Sequence, residues 1–428
     1  MDFQMIHPAD QLVLIMQRIY EYGLTTTSGG NLSILDENGD IWITPSGIDK
    51  GALRNADMIQ VKPDGQIIGI HKPSVELPFH SKIYKMRPDI KAVLHAHPPN
   101  LVAFSLARVI PETHLLPNVP RLCGEISMAA YAVPGSDLLG EYNAREFEKG
   151  HNVVMMENHG CVIGADDLFS AFRIFETLDT SAQLQIDAVK IGKPRVLSDE
   201  EIKMREQSHP VLDEFIHKTV SSQERAIRRD MCRYIHRSYE QRLFTSTQGT
   251  FSHRLDENSF VITPYNKDRK LMEPGDMVTI KKGMCEMGKR PSRSVLLHEA
   301  IYKAHPEINC ILIALPPAIM AFAVTDAEFD SRTIPESYIN LRDVKKVPFL
   351  YGTTNIADTV KLLGKKTPVL IMENECVLVT GHSLHAAFDR LEVLEYSAKA
   401  LISVRDIGPL VPISQEEIAE IDKAFKLN

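Results

Sequence analysis

The spacing of apolar side chains along the chain predicts a domain in which helices and strands alternate. Apolar residues recur every three or four positions over 75–85 and 168–188, the period of one face of a helix. A similar face near the start of the chain consists of Leu12, Ile15, Met16 and Ile19. Apolar and polar residues alternate over 40–44, as on a half-buried strand, and 92–94 forms a short apolar run. Strands interleaved with helices indicate the α/β class.

The pattern occurs twice in the chain. The segment 154–159, Val-Met-Met-Glu-Asn-His, returns at 370–375 as Leu-Ile-Met-Glu-Asn-Glu, a shift of 216 positions. The segment 197–202 returns at 413–418 with the same shift of 216 positions. Matches that keep their order and spacing indicate an internal duplication. We therefore predict two copies of one domain, over 1–210 and 211–428.

His95-Ala96-His97 is the strongest candidate for chemistry. It follows the apolar run 92–94, and Pro98-Pro99 ends that run, so we expect a buried strand that leads into a loop. Side chains two positions apart on a strand point to the same face, so both imidazoles can bind one metal ion. Glu76 and His159 are further candidate ligands on other predicted elements. Three imidazoles, a carboxylate and an open position suit a catalytic zinc ion.

The second copy lacks these ligands. Its counterparts of His95, His97, His159 and Glu76 are, in that order, Ile313, Leu315, Glu375 and Ser294. Aliphatic side chains cannot coordinate zinc. We therefore expect 211–428 to be a degenerate, metal-free repeat, and we expect one zinc ion per chain, in the first copy.

The net charge narrows the class of partner, and the cysteines indicate the compartment of the protein. Acidic residues outnumber basic ones, 56 to 48, which gives a net charge of −8 and argues against nucleic acid or an anionic membrane as the partner. No apolar run is long enough to span a bilayer, and the first residues lack the pattern of a signal peptide. The six cysteines have no CxxC pairing, which is typical of a cytoplasmic protein with free thiols.

Five motifs in the first copy, taken in order, resemble the class II aldolase/adducin family. They are Gly29-Gly30-Asn31-Leu32-Ser33, Thr44-Pro45-Ser46-Gly47, Pro73-Ser74-Val75-Glu76, the stretch from Tyr84 to Pro98, and Met156-Glu157-Asn158-His159-Gly160. Within that family the first 205 residues are most similar to the fuculose-1-phosphate aldolases. The resemblance implies a three-layer α/β/α fold around a mostly antiparallel central sheet, here present twice.

The resemblance also implies a reaction. Members of the family break or form a C–C bond in a sugar or sugar phosphate through an enediolate that a divalent cation stabilises. The Glu equivalent to Glu76 is the base that moves the proton, and in the empty enzyme it is a fourth metal ligand. The alternative is that Glu76 only stabilises a helix N-terminus that Ser74 caps. His80, one helical turn later, is predicted to be structural.

Turn sequences in the first copy are suited to binding an anion through backbone N–H groups and hydroxyls. In the fuculose-1-phosphate aldolases, Gly-Asn, Thr-Gly and Ser-Ser pairs bind the substrate phosphate. Their counterparts here are Gly30 and Asn31, Ser46 and Gly47, and Ser74 and Val75. Val75 removes one hydroxyl from this set. A carboxylate or a differently placed phosphate therefore fits nearly as well.

The acid that acts on the aldehyde departs from the family pattern. In the related aldolases a Tyr reaches the site from a neighbouring subunit of a four-fold ring. The matching segment of the first copy has His114 or Leu115 there, whereas the second copy contains Tyr338. We expect Tyr338 to be the acid, in a homodimer that forms a pseudo-tetramer of alternating domains. The alternative is that Tyr338 is an ordinary interface aromatic.

Two other functions stay open from the sequence. An epimerase or dehydratase of the same family could use these residues, although pentulose-phosphate epimerases carry Asp where this chain has Glu76. A non-catalytic binding protein, as the adducins are, has no need of metal ligands. The intact ligand set of the first copy favours a zinc-dependent class II aldolase acting on a small-molecule sugar or sugar phosphate.

Overall fold

The structure, a computed structural model, describes residues 3–206 and 210–427. Within these residues the chain forms two compact units. The first comprises the residues up to Thr113 together with Asn118–Gln183, and the second comprises His114–Pro117 together with the chain from Leu184 onward.

The first unit contains the elements that the apolar pattern predicts. Its helices are α1 (Pro8–Glu21), α2 (Leu77–Met86), α3 (Pro99–Ala107), α4 (Asn118–Cys123), α5 (Asp137–Glu148) and α6 (Leu168–Ile191), the last of which continues beyond Gln183. Its strands are β1 (Asn31–Leu35), β2 (Ile41–Ile43), β3 (Ile59–Val61), β4 (Ile67–Ile68), β5 (Ala92–Ala96), β6 (Ile126–Ala129), β7 (Val153–Met156) and β8 (Cys161–Ala165). The helix predicted over 75–85 is α2, and Glu76 lies immediately before its first residue.

The second unit follows the same order after a short lead-in. Its helices are α7 (Asp199–Glu206), α8 (Ser222–Glu240), α9 (Val295–Ala304), α10 (Pro317–Ala323), α11 (Pro335–Leu341), α12 (Tyr351–Thr354), α13 (Ile356–Leu362), α14 (Leu384–Ser403) and α15 (Gln415–Phe425). Its strands are β9 (Glu214–Phe215), β10 (Thr250–Asp256), β11 (Ser259–Ile262), β12 (Val278–Lys281), β13 (Met284–Glu286), β14 (Cys310–Ala314), β15 (Val344–Val347), β16 (Val369–Met372) and β17 (Cys376–Gly381).

Each unit is built on one sheet, and the two sheets share one order over eight strands, to which the second sheet adds β9 at its edge. The order is β6-β7-β8-β5-β1-β2-β3-β4 in the first unit and β15-β16-β17-β14-β10-β11-β12-β13-β9 in the second. The pairs β6 with β7, β15 with β16, and β13 with β9 are parallel, and the other pairs are antiparallel. The expected mostly antiparallel α/β fold is confirmed, with mixed sheets because of these parallel pairs.

The register of the strands agrees with the alignment of the two copies. In the first unit Asn31 of β1 lies opposite His95 of β5. In the second unit Thr250 of β10 lies opposite Ile313 of β14. The duplication seen in the sequence is therefore repeated in the pairing of the strands.

Helices cover both faces of the first sheet. All five residues of β5 are buried, and neighbouring residues of a strand point to opposite faces. On one face, α2 and α5 pack over Val93 and Val154. His95 lies two residues after Val93 and so shares this face, which places it beneath the start of α2.

No helix in the described part of the chain combines the length and the apolar character needed to cross a membrane.

Candidate metal centre

Three histidines of the first unit converge at one end of β5. His95 lies on the strand and His97 follows it, while His159 lies in the turn between β7 and β8. The antiparallel pairing of β5 with β8 places Ala96 opposite Cys161, which brings this turn to the end of β5. The ligand atoms of the three imidazoles lie within 4.8 Å of one another. The convergence expected from the His-x-His spacing is therefore present.

The imidazoles are in the form that binds metal ions. His95 Nδ1 lies 2.9 Å from the carbonyl oxygen of Cys161, so Nδ1 carries the proton and Nε2 presents its lone pair. Burial, and then the nearby His159, lower the pKa of His95 to about 3. Burial, followed by His95 and His159, lowers the pKa of His97 to about 3. Three neutral imidazoles at this separation fit a zinc ion.

Glycines allow the backbone to pack against these histidines. A Cβ at Gly160 would lie 2.5 Å from the carbonyl oxygen of Ala96 and 2.7 Å from His97 Cδ2. A Cβ at Gly29 would lie 3.0 Å from His97 Nδ1. The separations at Gly160 exclude a side chain unless a neighbour shifts, and the one at Gly29 is tight, so both glycines allow the backbone to approach the ring of His97 closely.

Glu76 faces the histidines from the start of α2. Its side chain is buried, with Oε2 3.3 Å from His95 Nε2 and Oε1 3.9 Å from His159 Nε2. Asn31 Nδ2 donates a hydrogen bond to Oε2 at 2.6 Å. The side chain of Glu76 does not cap α2, and Ser74 Oγ accepts the backbone N–H of Glu76 instead of capping the first turn. The carboxylate is therefore held by Asn31 at the histidine cluster.

The segments predicted to bind an anion lie side by side near Glu76. An antiparallel bridge between Pro45 and Pro73 brings the 44–47 turn beside Ser74. The same turn follows β2, which pairs with β1, the strand that begins at Asn31. Val75 differs from its neighbours, since its side chain is 63% exposed. The structure thus brings the predicted anion-binding residues to one region, with Val75 at its outer edge.

The backbone of these segments adopts turns that favour glycine. Gly30 has a φ of +71° and Gly47 a φ of +70°, in the left-handed region. A Cβ at Gly30 would also lie 2.8 Å from the carbonyl oxygen of His95. Gly30 therefore permits the close approach of this turn to the strand that carries the histidines.

Local sequence patterns do not reveal a buried hydrogen-bond network behind Glu76. His80 Nε2 lies 2.5 Å from Asn31 Oδ1, and His80 Nδ1 lies 2.6 Å from Ser33 Oγ. Burial, and then His95, lower the pKa of His80 well below its usual value. The signal that could find the network is its recurrence, because the second copy keeps Ser252, His298 and Tyr302 at matching positions.

The second unit has an apolar core and an ion pair where the first has histidines. Ile313 and Leu315 pack against the core of the unit. Glu375 is buried, and its Oε1 lies 2.5 Å from Arg205 Nε of α7. Apolar contacts and an ion pair within the protein thus stabilise these three side chains, and none of them depends on a metal ion.

Tyr338 belongs to the second unit, on α11. Its hydroxyl donates to Asp422 Oδ1 of α15 at 3.0 Å, and its ring packs against the guanidinium of Arg342. Burial and the Asp422 carboxylate raise the pKa of Tyr338. The first unit by itself therefore brings together Glu76, the histidines and the anion-binding segments, and Tyr338 is not among its residues.

Comparison with known proteins gives a family match for both copies. The model of the class II aldolase and adducin N-terminal domain matches residues 10–186 and 229–402. A 5-deoxy-D-ribulose 1-phosphate aldolase of Bacillus thuringiensis is 31% identical over 45% of this chain and 91% of its own. A 3-oxo-tetronate 4-phosphate decarboxylase of Haemophilus influenzae is 31% identical over 45% of this chain and 92% of its own. An L-fuculose phosphate aldolase of Methanocaldococcus jannaschii is 32% identical over 41% of this chain and 94% of its own.

Proposed function

The chain belongs to the class II aldolase and adducin family, and on this premise we propose that its first domain, within 1–210, is a zinc-dependent aldolase of phosphorylated ketoses. The observation that carries the proposal is the convergence of three imidazole ligand atoms within 4.8 Å, with a buried carboxylate 3.3 Å from one of them. Neutral histidines beside a carboxylate suit a Lewis acid paired with a base. The second domain, within 211–428, is then a metal-free partner domain.

His95, His97 and His159 would hold the metal ion, and Glu76 could serve as a further ligand in the absence of substrate. The bound ion supplies Lewis-acid polarisation of the substrate carbonyl oxygen. His95 is fixed for this role by Cys161, whose carbonyl oxygen accepts its Nδ1–H. We assign zinc because three imidazoles with an open position are its usual catalytic ligand set.

Glu76 moves the proton at the carbon next to the carbonyl. Its Oε2 is occupied by the amide of Asn31, whereas Oε1 lies 3.9 Å from His159 Nε2, beyond hydrogen-bond distance. A base must lie within hydrogen-bond reach of the substrate proton, and Oε1 is the oxygen that the contact with Asn31 leaves available for it. Removal of water from this buried carboxylate strengthens its interaction with the reacting group.

Gly30, Asn31, Ser46, Gly47, Ser74 and Val75 bind the phosphate of the substrate. The three relatives named above act on compounds that carry a phosphate, according to their names. Gly30 and Gly47 have positive φ, and such turns present backbone N–H groups to an anion. Phosphate bound at this position fixes the distance between the substrate carbonyl and Glu76.

Tyr338 of a second copy of the chain supplies the acid. In the second unit, Asn374 precedes Glu375, and its buried side chain donates to the carbonyl of Leu115 at 2.9 Å. Its counterpart beside His159 is Asn158, which has the same left-handed backbone but an exposed side chain. In a homodimer with two-fold symmetry, an equivalent contact would form between chains. The first copy would then supply the Asn, and the second copy of the other chain would supply the segment that covers it. The segment around Tyr338, which corresponds to that of Leu115, would then cover Asn158 and reach the metal centre.

The cytoplasm is the compartment that the cysteines favour. All six cysteines are buried free thiols. Free thiols persist where the surroundings are reducing. We therefore assign the protein to the cytoplasm.

Metal analysis combined with a substrate screen tests the proposal. We expect about one zinc ion per chain, the number that a single three-histidine site binds, and aldehyde release from ketose 1-phosphates. His97→Ala removes a ligand and is expected to lose both the metal and the activity. His385→Ala, at an exposed histidine of α14, is the control and keeps both. Two metal ions per chain, or a metal content unaffected by His97→Ala, would contradict the assignment.

Decarboxylation of a phosphorylated 3-oxo acid is the second candidate. The Haemophilus influenzae relative bears the name of such an enzyme. The first copy also has His114 or Leu115 where the aldolases have their Tyr, and loss of CO2 requires no proton transfer at an aldehyde oxygen, while Glu76 could still protonate the enediolate that remains. A 3-oxo-tetronate 4-phosphate therefore belongs in the same screen, together with an assay for epimerisation and for dehydration. If no substrate turns over and no metal binds, the chain is a binding protein of the adducin type.

A further inference from the structure

Five buried residues behind the metal centre form one continuous series of hydrogen bonds. The distances are 2.6 Å from Tyr84 Oη to Ser33 Oγ, 2.6 Å from Ser33 Oγ to His80 Nδ1, 2.5 Å from His80 Nε2 to Asn31 Oδ1, and 2.6 Å from Asn31 Nδ2 to Glu76 Oε2. The most exposed of the five, Tyr84, is 6% exposed. We call these five residues the relay.

The charge at the end of the relay sets the direction of each hydrogen bond. An ionised Glu76 can only accept, so Asn31 presents its NH2 group to the carboxylate and its carbonyl oxygen to His80. His80 must then carry its proton on Nε2 and accept at Nδ1. Ser33 therefore donates to His80 and accepts the hydroxyl proton of Tyr84. One tautomer of His80 thus corresponds to one orientation of the Asn31 amide.

The second unit keeps the Ser, His and Tyr of the relay but not its Asn and Glu. Ser252 Oγ lies 2.7 Å from His298 Nδ1 and 2.6 Å from the hydroxyl of Tyr302. The residue at the position of Glu76 is Ser294, immediately before α9. Among the described residues, His298 Nε2 is buried and has no hydrogen-bond partner. In the first unit, Asn31 therefore connects the Ser, His and Tyr to the carboxylate of Glu76. In the described part of the second unit, no residue connects them to a carboxylate.

Because only the first unit has the carboxylate, comparison of the two units can distinguish a structural role of the Ser, His and Tyr from a positioning role. If the group only stabilises the fold, its removal has the same consequences in both units. If it acts through Asn31 on the carboxylate, removal in the first unit also affects the reaction. The chain therefore contains its own matched control.

We propose that His80 and Ser33 are positioning residues that act through Asn31 to fix the orientation of the Glu76 carboxylate. The proposal rests on the proposed role of Glu76 as the base. Asn31 engages Oε2, which leaves Oε1 as the oxygen that exchanges a proton with the substrate. With His80 in the other tautomer, Asn31 turns its carbonyl oxygen toward the carboxylate, and the two acceptors repel each other.

Kinetics of Ser33→Ala and Ser252→Ala in the metal-loaded full chain test the relay. Ser33→Ala removes the hydroxyl that donates to His80 Nδ1 and so supports the Nε2–H tautomer, and it is expected to lower kcat about 10-fold, with KM and metal content near those of the wild type. Ser252→Ala removes the matching hydroxyl of the second unit and is expected to leave kcat unchanged. The loss of thermal stability should be similar in the two variants.

Two substitutions of His80 add a rescue test. The side chain of Gln can still donate to Asn31 Oδ1 and accept from Ser33, whereas that of Leu can do neither. His80→Gln is therefore expected to retain most of kcat, and His80→Leu to lose about 10- to 100-fold. Equal losses in the two variants would overturn the positioning role, as would a kcat in Ser33→Ala equal to that of the wild type.

A spectroscopic measurement on the metal-free chain is independent of activity. With 15N-labelled histidine, His80 is expected to show a protonated Nε2 and an unprotonated Nδ1, identified by the loss of these signals in His80→Gln. Ser33→Ala should raise the Nδ1–H population. A wild-type His80 protonated on Nδ1 would refute the relay. A fully active Glu76→Gln enzyme would instead refute the proposed base, while the tautomer measurement would still decide the direction of the relay.

Discussion

Glu76 is oriented by residues that lie far from it in the sequence. Asn31 belongs to β1 and lies 2.6 Å from Oε2, while His95 of β5 lies 3.3 Å from the same oxygen. A carboxylate at a helix start would by itself interact with the helix dipole. Here it points to the histidines, which is the placement that a proton-transfer base needs.

Replacement of Glu76 by Gln keeps the shape of the side chain and removes its basicity. We expect Glu76→Gln to lower turnover by about 10²–10⁴-fold, as is typical of a lost general base, while the metal content stays close to that of the wild type. Steady-state kinetics with elemental analysis measure both quantities. Ser294→Ala, at the matching position of the second copy, serves as the control. Turnover of Glu76→Gln at the wild-type rate would exclude the role.

Gly160 tests how closely the backbone packs against His97. A Cβ at this position would lie 2.5 Å from the carbonyl oxygen of Ala96, so Gly160→Ala must displace either the turn or His97. We expect zinc affinity to fall about 10- to 100-fold, as it does when the support of a ligand is disturbed. A competition titration with a chelator measures the affinity. Gly275→Ala, where a Cβ meets open space, is the control, and equal affinities would contradict the packing argument.

The candidate ligands could be predicted from the sequence, and the relay could not. His95 and His97 are two residues apart on a strand, so local geometry alone predicts that they share a face. The contact of His80 with Asn31 joins residues 49 positions apart, and it depends on how α2 packs over β1. No local pattern encodes that packing, which is why His80 is predicted to be structural from its spacing alone.

Helix α7 supplies the cation that pairs with Glu375, the residue at the position of the ligand His159. Arg205 near the end of this helix lies 2.5 Å from Glu375, and Leu350 donates its backbone N–H to the other oxygen of the same carboxylate. A buried carboxylate that loses its cation is strongly destabilising. The ion pair therefore anchors α7 at the turn between β16 and β17.

Arg205→Met is expected to destabilise the second unit by about 3 kcal/mol, because it leaves Glu375 buried without its cation. Hydrogen exchange in β16 and β17 and the midpoint of urea unfolding measure the effect. The double variant Arg205→Met with Glu375→Met removes both charges and is expected to recover most of the loss. If the single and double variants are equally unstable, the ion pair is not the cause.

The order of the elements could largely be predicted, whereas the lead-in to the second unit could not. Apolar spacing indicates α1, α2 and α6 because each buries one face against a sheet. The segment 195–220 is rich in charge and has few apolar clusters, a pattern that by itself predicts a connector between the two copies, yet the segment contains α7 and β9. Both depend on partners distant in the sequence, such as Glu375 for α7 and Cys285 of β13 for β9.

The turn that carries His159 exposes an asparagine whose counterpart in the second unit is covered. Asn374 is fully buried beneath Leu115 and Arg195, to whose carbonyl oxygens its side chain donates. Asn158 occupies the matching position of the first unit and is exposed. On the proposed function, a second copy of the chain would provide the equivalent covering segment, the one that contains Tyr338.

We therefore expect the protein to be a dimer in solution. Tyr338→Phe is expected to lower turnover without loss of metal. Mixing tests the exchange of roles directly. When Glu76→Gln and Tyr338→Phe chains are unfolded together and refolded, each mixed dimer has one complete site, and we expect roughly a quarter of wild-type activity. Analytical ultracentrifugation and the activity of the mixture are the measurements.

Separately refolded Glu76→Gln and Tyr338→Phe chains provide the baseline. An activity of the mixture no higher than their average would show that Tyr338 does not act on a partner chain. Tyr396→Phe, at an exposed tyrosine of α14, controls for the loss of a hydroxyl.

In the part of the chain that the structure describes, His298 Nε2 has no hydrogen-bond partner, and this bears on how the second half arose. A histidine that is buried among polar neighbours but lacks an acceptor costs about 1–3 kcal/mol, so selection for stability alone would not introduce it. It is what duplication of an active domain would leave behind, with Thr250 and Ser294 now at the positions of Asn31 and Glu76. On this account the gene was duplicated while the enzyme was active, and the second half lost its chemistry afterwards. Its inherited fold is therefore a ready template for engineering a second catalytic site into the same chain.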